Sequence, residues 1–369
     1  MMPLGPQLER IWEISPQEFG LLVAAYTFSA GGVGLFGSFF MDRFDRRNSL
    51  IFLYTGFLLG TFACALSNSY EMLLIARCAT GAFGGLLGAT VLSIVGDLTP
   101  IEKRGEAMGT VMAAFSAASV FGVPFGLFLA NQFGWQAPFF FLGIIGLPIL
   151  IFNVIMVPNV REHLSAGVEN PLVILKGMLK DRNQFTAHIF IVLLMLGQFS
   201  VITFIAPYMV SNVGFTEGQL AYIYLVGGFF TLFSSPIFGR LADKHGQLKF
   251  FTVVTLLSLF PLWVITNLPR MNIYAVLVIT SIMFILISGR IIPAMTMITS
   301  SVRPERRGGF MSINSAIQQL GAGVASFVAG IIVVKTASGE YQDYDLVGYM
   351  AISASIVAIF IARRMKAVS

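Results

Sequence analysis

The chain has 369 residues, of which 56% are hydrophobic and only 11% are charged, and its mean hydropathy is +0.82. Soluble globular domains carry about 25% charged residues, so this composition excludes an ordinary soluble domain and predicts that lipid is the main solvent. The net charge of +5 does not by itself indicate nucleic-acid binding. The two cysteines and three histidines are dispersed along the chain, which predicts neither a disulfide framework nor a metal site.

Apolar stretches of membrane-spanning length follow one another along the whole chain. A helix needs roughly 20 apolar residues to cross the hydrocarbon core of a bilayer, and eleven stretches meet that length. The predicted spans are 19–41, 49–67, 71–96, 107–131, 135–157, 187–210, 218–238, 249–267, 272–298, 309–334 and 346–362. The sequence therefore predicts an all-α membrane protein. A polar connection, 158–186, divides it into an N-terminal bundle, 1–157, and a C-terminal bundle, 187–369.

The basic residues between the spans are distributed unevenly. Eighteen of them fall in alternate connections, whereas the other connections hold only Arg10, Arg270 and Lys335. Basic residues accumulate on the cytoplasmic side of a membrane protein. This rule predicts that the C-terminus and the linker 158–186 are cytoplasmic and that residues 1–18 lie outside.

A weak internal repeat relates the two halves. The segment 37–47 resembles the segment 239–249, and Pro6 and Pro207 keep the same separation of 201 residues as Asp42 and Asp243. A complete apolar helix precedes Pro207, but only five residues precede Pro6. We therefore expect that the first half lacks its first helix, because the start is placed too late or the gene is truncated. A genuine eleven-helix protein is the alternative.

The connection after the first span contains Asp42, Arg43 and Arg46. A carboxylate beside guanidinium groups can cap a helix or pair with arginine and so latch one conformation, although these charges also serve simply to orient the chain. The pattern resembles the signature loop of the major facilitator superfamily, which occurs twice in that family. The second copy, with Gly239 and Asp243, is the cleaner match.

The first copy departs from the family pattern, because Asp45 stands where glycine is usual and Ser38 holds the small-residue position. Asp97 resembles the acidic residue that pairs with the arginine of this loop in the family. The resemblance covers the whole chain apart from the missing helix. It implies the major facilitator fold, in which two pseudo-symmetric helical bundles with twelve expected helices surround a central cavity.

Arg77 lies inside a predicted span, where a charged side chain costs at least about 2.5 kcal/mol on insertion scales. Its segment is similar to the arginine motif of the fourth family helix, which implies a role in proton coupling. Snorkelling of this side chain to the membrane surface is the alternative.

The span 107–131 carries Gly122, Pro124 and Gly126, residue types that permit close packing and a kink. In context they resemble the antiporter motif of the fifth family helix, although the match is imperfect. An ordinary helix crossing explains the same residues.

Polar residues inside the other spans are candidates for a substrate cavity. Arg290 has no arginine counterpart in the repeat, and we expect it to bind an anionic or polar substrate group or a carboxylate from another helix. The further candidates are Gln198, Tyr222 with its neighbour Tyr224, Asn314 and Gln318. Ordinary hydrogen bonds between helices are the alternative for all of these.

The resemblance implies a proton-coupled antiporter that exports a small drug-like or sugar-like molecule by alternating access. It also implies protons, substrate and the bilayer as partners, with neither nucleic acid nor cofactor, and a monomer in a bacterial inner membrane. A proton-coupled nutrient importer and a truncated, non-transporting scaffold are the alternatives. No nucleophile–base pair or metal cluster in the sequence indicates an enzyme.

Overall fold

The computed structural model describes residues 1–41, 43–100, 117–159, 180–303 and 307–368, together with the single positions 103, 107, 110, 111, 114 and 177. For residues 38–41, 96, 119 and 308 only the backbone is described. Most of the predicted linker 158–186 lies outside the described residues.

Helices account for almost all of the described chain. They are α1 (Gly5–Trp12), α2 (Pro16–Met41), α3 (Arg46–Ala65), α4 (Tyr70–Leu98), α5 (Val123–Phe133), α6 (Ala137–Met156), α7 (Arg182–Tyr208), α8 (Leu220–His245), α9 (Gln247–Thr266), α10 (Ile273–Ser300), α11 (Arg307–Ile332) and α12 (Tyr344–Ala362). Two short strands, β1 (Val334–Lys335) and β2 (Tyr341–Gln342), form an antiparallel hairpin between α11 and α12.

Ten described helices are long and apolar enough to cross a membrane. The other predicted span, 107–131, falls partly outside the described residues, and its described part is the shorter apolar helix Val120–Phe133. In the place before α2 that corresponds to α7 in the repeat, the chain has a 3-10 turn, Met2–Leu4, and the eight-residue helix α1.

Side-chain caps set the starts of several helices. Asp45 accepts a hydrogen bond from the backbone amide of Arg47, Ser69 from that of Met72, and Asn272 from that of Tyr274. Asp181 accepts from two amides and starts α7 at Arg182, so this helix begins five residues before the predicted start of its span at 187. Each cap satisfies an amide that the helix itself leaves unpaired.

The two halves repeat one packing scheme. In the first half, α4 packs on α2 and α3, and α6 packs on α3; in the second half, α10 packs on α8 and α9, and α12 packs on α9. The long helices of the two halves meet along two lines, where α2 contacts α11 and where α5 contacts α8, and the short helix α1 also contacts α7. This arrangement places a cleft between the halves, bounded by those two lines.

The line between α2 and α11, which we call the glycine seam, brings two backbones together. A Cβ atom added at Gly20 would lie 2.8 Å from the carbonyl oxygen of Ser326 and 3.1 Å from the Cα of Gly330. One added at Gly31 would lie 2.7 Å from the carbonyl oxygen of Ala316. Because side chains are absent at these positions, the helices approach more closely than larger residues would allow.

The bundle has two ends, which are named here by one residue each. The Glu9 end carries α1, the β1–β2 hairpin and the connection between α7 and α8. At this end the indoles of Trp12 and Trp135 meet edge to face at 5.1 Å. The Arg46 end carries the connections between α2 and α3 and between α8 and α9.

Candidate functional site

A cavity of about 560 Å³ lies between the halves, within the size range of ligand sites in proteins. Its walls come from α7, α8, α10 and the segment that leads into α5. The lining includes Val120, Gln198, Tyr224, Thr231, Ser235, Phe284 and Ser288. None of the lining residues that the structure describes carries a charge, so the cavity offers apolar contacts and neutral hydrogen-bonding groups.

Two side chains in the cavity have unused hydrogen-bonding capacity. The Oε1 atom of Gln198 and the hydroxyl of Tyr224 are buried and have no hydrogen-bond partner among the described residues. Buried polar atoms are normally paired because an unpaired one costs about 1–3 kcal/mol. The Ser235 and Ser288 hydroxyls, 3.1 Å apart, are by contrast paired with each other. Of these groups in the wall, the two unpaired ones are therefore those with hydrogen-bonding capacity left.

The other predicted cavity residues lie elsewhere. Tyr222 is 52% exposed on the outer surface of α8, where lipid would surround it. Asn314 is 1% exposed within α11, and both polar atoms of its amide lack partners among the described residues. Gln318 is half-buried on the same helix. None of the three lines the cavity described above.

Arg290 is fully buried inside the second half, with 0% exposure, and does not line the cavity. Its Nη1 donates to the hydroxyl of Ser355 at 2.9 Å, and its Nη2 donates to the carbonyl oxygen of Gly197 at 2.9 Å. We expected Arg290 to line the substrate cavity or to pair with a carboxylate. The structure instead pairs it with Ser355 and Gly197 inside the second half. The guanidinium instead ties α10 to α12 and α7, because a hydroxyl and a carbonyl satisfy two of its nitrogens.

Arg77 lies in α4, two turns from the start of that helix, and is half-buried. Its guanidinium carbon lies 4.6 Å from the centroid of the Tyr26 ring on α2. Its Nε is buried and has no hydrogen-bond partner among the described residues. An aromatic face attracts a cation, and this attraction is strongest where water is excluded.

The predicted antiporter segment adopts an irregular helix. Residues Ala118–Gly122 are π-helical, and α5 continues from Val123 with Pro124 in its first turn. Among the described residues, a Cβ atom at Gly122 would meet no atom within 4 Å, and one at Gly126 would come within only 3.9 Å of Pro138. Within that part of the chain, the close packing expected at these two glycines is therefore not found. The helix irregularity lies immediately beside the cavity at Val120.

The first signature loop is joined to the end of α4. The Nε of Arg46 donates to Oδ2 of Asp97 at 2.5 Å, which is the pair that the resemblance implied. Arg43 is exposed, and Asp42 lies outside the described residues. Asp45, which departs from the family pattern, is buried and caps α3.

The second signature loop explains why glycine is usual at that position. Gly246, the counterpart of Asp45, has φ +88°, a conformation that other residues rarely adopt. Asp45 instead has φ −54°, so its loop takes another course. In the second copy Gly239 has open space beside it, and Asp243 accepts a hydrogen bond from the Gln247 side chain at 2.8 Å.

Polar contacts between described residues of the two halves lie at the Glu9 end. Arg10 pairs with Glu217 at 2.6 Å. Glu9, which is 3% exposed, accepts from the Lys335 ammonium at 2.9 Å and also from the Tyr341 hydroxyl. Burial raises the pKa of the Glu9 carboxyl, although the bonds from Tyr341 and Lys335 act in the opposite direction.

Sequence reasoning missed most of the cavity wall and all of these contacts. One signal was present, since Tyr224, Gly228, Thr231 and Ser235 recur at helical spacing and so share a face of α8. Nothing comparable indicated Glu9, because the cation and the hydroxyl beside it come from a hairpin more than 300 residues away in the sequence.

The family model described as Major Facilitator Superfamily matches residues 1–207 and 187–367. The chain is 22% identical to the quinolone resistance protein NorA of Staphylococcus aureus, over 98% of this chain and 90% of that protein. It is 23% identical to the "Probable sugar efflux transporter" of Mannheimia succiniciproducens, over 92% of this chain and 82% of that protein.

A solved structure has the same fold at 15% identity. It is the inward-facing, unoccupied form of a bacterial homologue of the human lysosomal transporter Spinster, which matches with a TM-score of 0.77 over 98% of this chain and 92% of that chain. The family match extends over nearly the whole chain, and the apolar helices are of membrane-spanning length. The chain is therefore an integral membrane transporter that belongs to the major facilitator superfamily.

Proposed function

We propose that this chain exports a small molecule with little or no net charge, and that it does so in exchange for protons. The observation that carries the proposal is the pair of unpartnered polar atoms, Gln198 Oε1 and the Tyr224 hydroxyl, in a cavity of about 560 Å³. A solute that offers a donor to Gln198 and a donor or acceptor to Tyr224 would relieve both unpaired groups. The uncharged lining disfavours a fully ionised solute, whose desolvation would not be compensated.

Export is the direction that the relatives support. One of them is named for sugar efflux, in which the solute leaves the cell, and the other for quinolone resistance, which export of the drug would explain. Export of either a quinolone or a sugar requires a cavity that accepts rings or hydroxyl groups. The cavity described here can do this without a charged side chain that binds the solute. Phe284 and Tyr224, whose ring centroids lie 6.0 Å apart, supply aromatic surface against which such a molecule can pack.

Proton coupling involves Arg77 in this proposal. A guanidinium that has an unpartnered Nε beside an aromatic ring can stabilise a nearby carboxylate and so lower its affinity for protons. The segment of Gly122, Pro124 and Gly126 supports antiport by its resemblance to the family motif. The π-helical turn next to it lies at the wall that must change when the cavity opens.

The orientation follows from the basic residues. We assign the Arg46 end to the cytoplasm of a bacterial inner membrane and the Glu9 end to the outside. The set of alternate connections that includes Arg46 holds eighteen basic residues, and basic residues accumulate on the cytoplasmic side. The Arg46–Asp97 pair, with Arg43 and the second loop at Gly239 and Asp243, then serves as a latch for one conformation. The transporter acts as a monomer in this scheme, and the halves rock about the cavity.

The test uses inverted membrane vesicles in which the interior is acidified by respiration. Accumulation of a fluorescent quinolone and of a radiolabelled pentose is measured with the gradient intact and after its collapse by an uncoupler. We expect gradient-dependent accumulation of at least one probe. For the transported probe, Tyr224→Phe or Gln198→Leu should raise the half-saturating concentration about tenfold, the effect of one hydrogen bond worth about 1.4 kcal/mol.

Tyr222→Phe is the matched control, because it removes the same hydroxyl two residues away on the exposed surface of α8. It should leave accumulation unchanged. If Tyr222→Phe and Tyr224→Phe had equal effects, the solute would not bind in this cavity and that part of the proposal would be wrong. Uptake into right-side-out vesicles driven by an acidic exterior, without accumulation in inverted ones, would instead establish the nutrient importer.

A further inference from the structure

The carboxylate of Glu9 is buried where the two halves of the transporter meet. Only 3% of the residue is exposed, although α1 itself lies outside the membrane-spanning helices. The Oε2 atom accepts from Lys335 in β1 and from Tyr341 in β2. The Oε1 atom is buried without a partner among the described residues. Glu9 thus connects the first half to the second through a single oxygen.

Several other charged groups at this end pair with one another. Arg10, the next residue of α1, pairs with Glu217 before α8, and Glu340 in the hairpin connection pairs with Arg270 at 3.6 Å. The titratable tyrosines of the adjoining α7 and α12 donate to backbone carbonyls, Tyr208 to Leu268 and Tyr344 to Val201. Asp345, at the start of α12, is half-buried. Among the described residues, Lys335 is therefore the cation that compensates Glu9.

This geometry makes the ionised form of Glu9 costly. An ionised carboxylate spreads its charge over two oxygens, and here one of them receives two donors while the other receives none from the residues that the structure describes. Burial of an incompletely paired charge is unfavourable, and burial accordingly raises the pKa of Glu9 above its ordinary value of 4.5. When the halves separate at this end, water reaches the carboxylate, and we expect its pKa to return towards that ordinary value.

The sign of the linkage follows directly. The form in which the Glu9 end is closed binds a proton at Glu9 more tightly than the open form does. Proton binding must therefore favour the closed form, since a ligand shifts a conformational equilibrium towards the state that binds it better. Each unit by which the pKa is higher in the closed form changes the ratio of closed to open about tenfold on protonation.

We propose that Glu9 is a proton-binding site facing the outside solution and that proton uptake there favours closure of the Glu9 end. A proton from hydronium forms an O–H bond on the carboxylate, Lys335 keeps its own proton, and the net charge of the pair changes from 0 to +1. The proposal rests on the proposed function for its direction. In a proton-driven exporter, an external proton should favour return of the emptied transporter to the form that is open to the cytoplasm.

The experiment measures closure without any substrate. Spin labels are attached to cysteines introduced at Asn68 and Met271, which are exposed residues of opposite halves at the Glu9 end, in a chain whose Cys64 and Cys78 are replaced by serine and alanine. Distances are recorded in lipid vesicles between about pH 8 and about pH 4, a range that covers an ordinary and a raised glutamate. We expect the short distance to gain population as the pH falls, with a midpoint above 4.5.

Glu9→Gln keeps the shape of the protonated side chain, and we expect it to hold the short distance at every pH. Lys335→Met removes the compensating cation, so its midpoint should move to higher pH. Glu217→Gln is the control, because it breaks the neighbouring contact with Arg10 and leaves Glu9 intact; its midpoint should equal that of the unmodified chain.

A pH dependence that persists in Glu9→Gln, or a Lys335→Met midpoint that is unchanged or lower, would overturn the proposal. Loss of the pH dependence in Glu217→Gln would do the same, since it would assign the effect to the Arg10 contact. The distances need neither solute nor gradient, so failure of the transport assay would leave this result intact and the two proposals remain distinguishable.

Discussion

Arg77 and Tyr26 lie face to face between α4 and α2, with the guanidinium carbon 4.6 Å from the ring centroid. The two residues belong to the same half, so the contact fixes the arginine without linking the halves. A cation over an aromatic ring is worth about 0.5–2 kcal/mol, depending on how far water is excluded. The ring thereby positions a charge that has few other partners.

Replacement of Tyr26 tests this positioning role. Tyr26→Phe keeps the aromatic face and should retain gradient-driven accumulation, whereas Tyr26→Leu should reduce it several-fold, because the arginine loses its attraction. Arg77→Ala should abolish gradient-driven accumulation while leaving the amount of protein in the membrane unchanged. Accumulation in inverted vesicles, normalised to protein amount by immunoblot, checks all three. Normal accumulation by Arg77→Ala would exclude a role in coupling.

The packing of α4 on α2 predicts a sharp contrast between two glycines of α4. A Cβ atom at Gly85 would lie 2.5 Å from the carbonyl oxygen of Ala30, whereas one at Gly88 would meet none of the described atoms within 4 Å. Gly85→Ala should therefore lower the stability of the first half by about 1–3 kcal/mol. Gly88→Ala, on the same helix, should have little effect. Thermal unfolding in detergent compares the two, and equal melting temperatures would contradict the packing described above.

Arg290 is expected to govern stability. Arg290→Ala removes two buried hydrogen bonds and a large side chain, so the second half should lose about 2–5 kcal/mol. Ser355→Ala removes only the bond to Nη1, and its loss should be about 1 kcal/mol. Thermal unfolding measures both. If the Arg290→Ala protein folds with unchanged stability but transports a different range of solutes, the prediction is wrong and Arg290 acts in the substrate cavity.

The ion pair between Arg46 and Asp97 predicts a coupling that charge exchange can reveal. Arg46→Asp and Asp97→Arg should each slow transport, since each replaces the attraction between these two positions by repulsion between like charges. The double exchange should recover part of the rate. Partly exposed pairs contribute about 1 kcal/mol or less, so the recovery should be several-fold. Initial rates in a double-mutant cycle measure it, and additive effects would show that the pair does not act as a latch.

The predicted family and the all-α bundle fold are confirmed, because spans of about 20 apolar residues leave a chain few alternatives in lipid. The individual site residues were harder to predict from the sequence. Tyr222 and Tyr224 are two residues apart in one apolar stretch, yet they point to different sides of α8, one to the surface and the other to the cavity. Composition cannot choose between them, and only the spacing of small polar residues after Tyr224 indicates the side that faces inwards.

Arg290 illustrates why the remainder could not be predicted. A buried cation in a span indicates a functional site by default. The groups that pair with two of its nitrogens here are a serine hydroxyl and a backbone carbonyl, located 65 and 93 residues away in the sequence. A backbone carbonyl is present at every residue and leaves no trace in the sequence. Glu9 was missed for the related reason that a short polar segment gives no sign of being covered by a hairpin.

The glycine seam between α2 and α11 limits how the molecule can move. Helices whose backbones lie this close at Gly20 and Gly330 cannot come any closer, and parting them would forfeit the most extensive helix contact between the halves. Because part of that contact is made by backbone atoms against glycines, we expect turning about this line to cost less than separation. We therefore expect the two halves to rotate relative to each other about the glycine seam. The cavity wall formed by α8 and α10 lies away from that rotation axis. A few degrees of rotation therefore displace this wall more than they displace the seam.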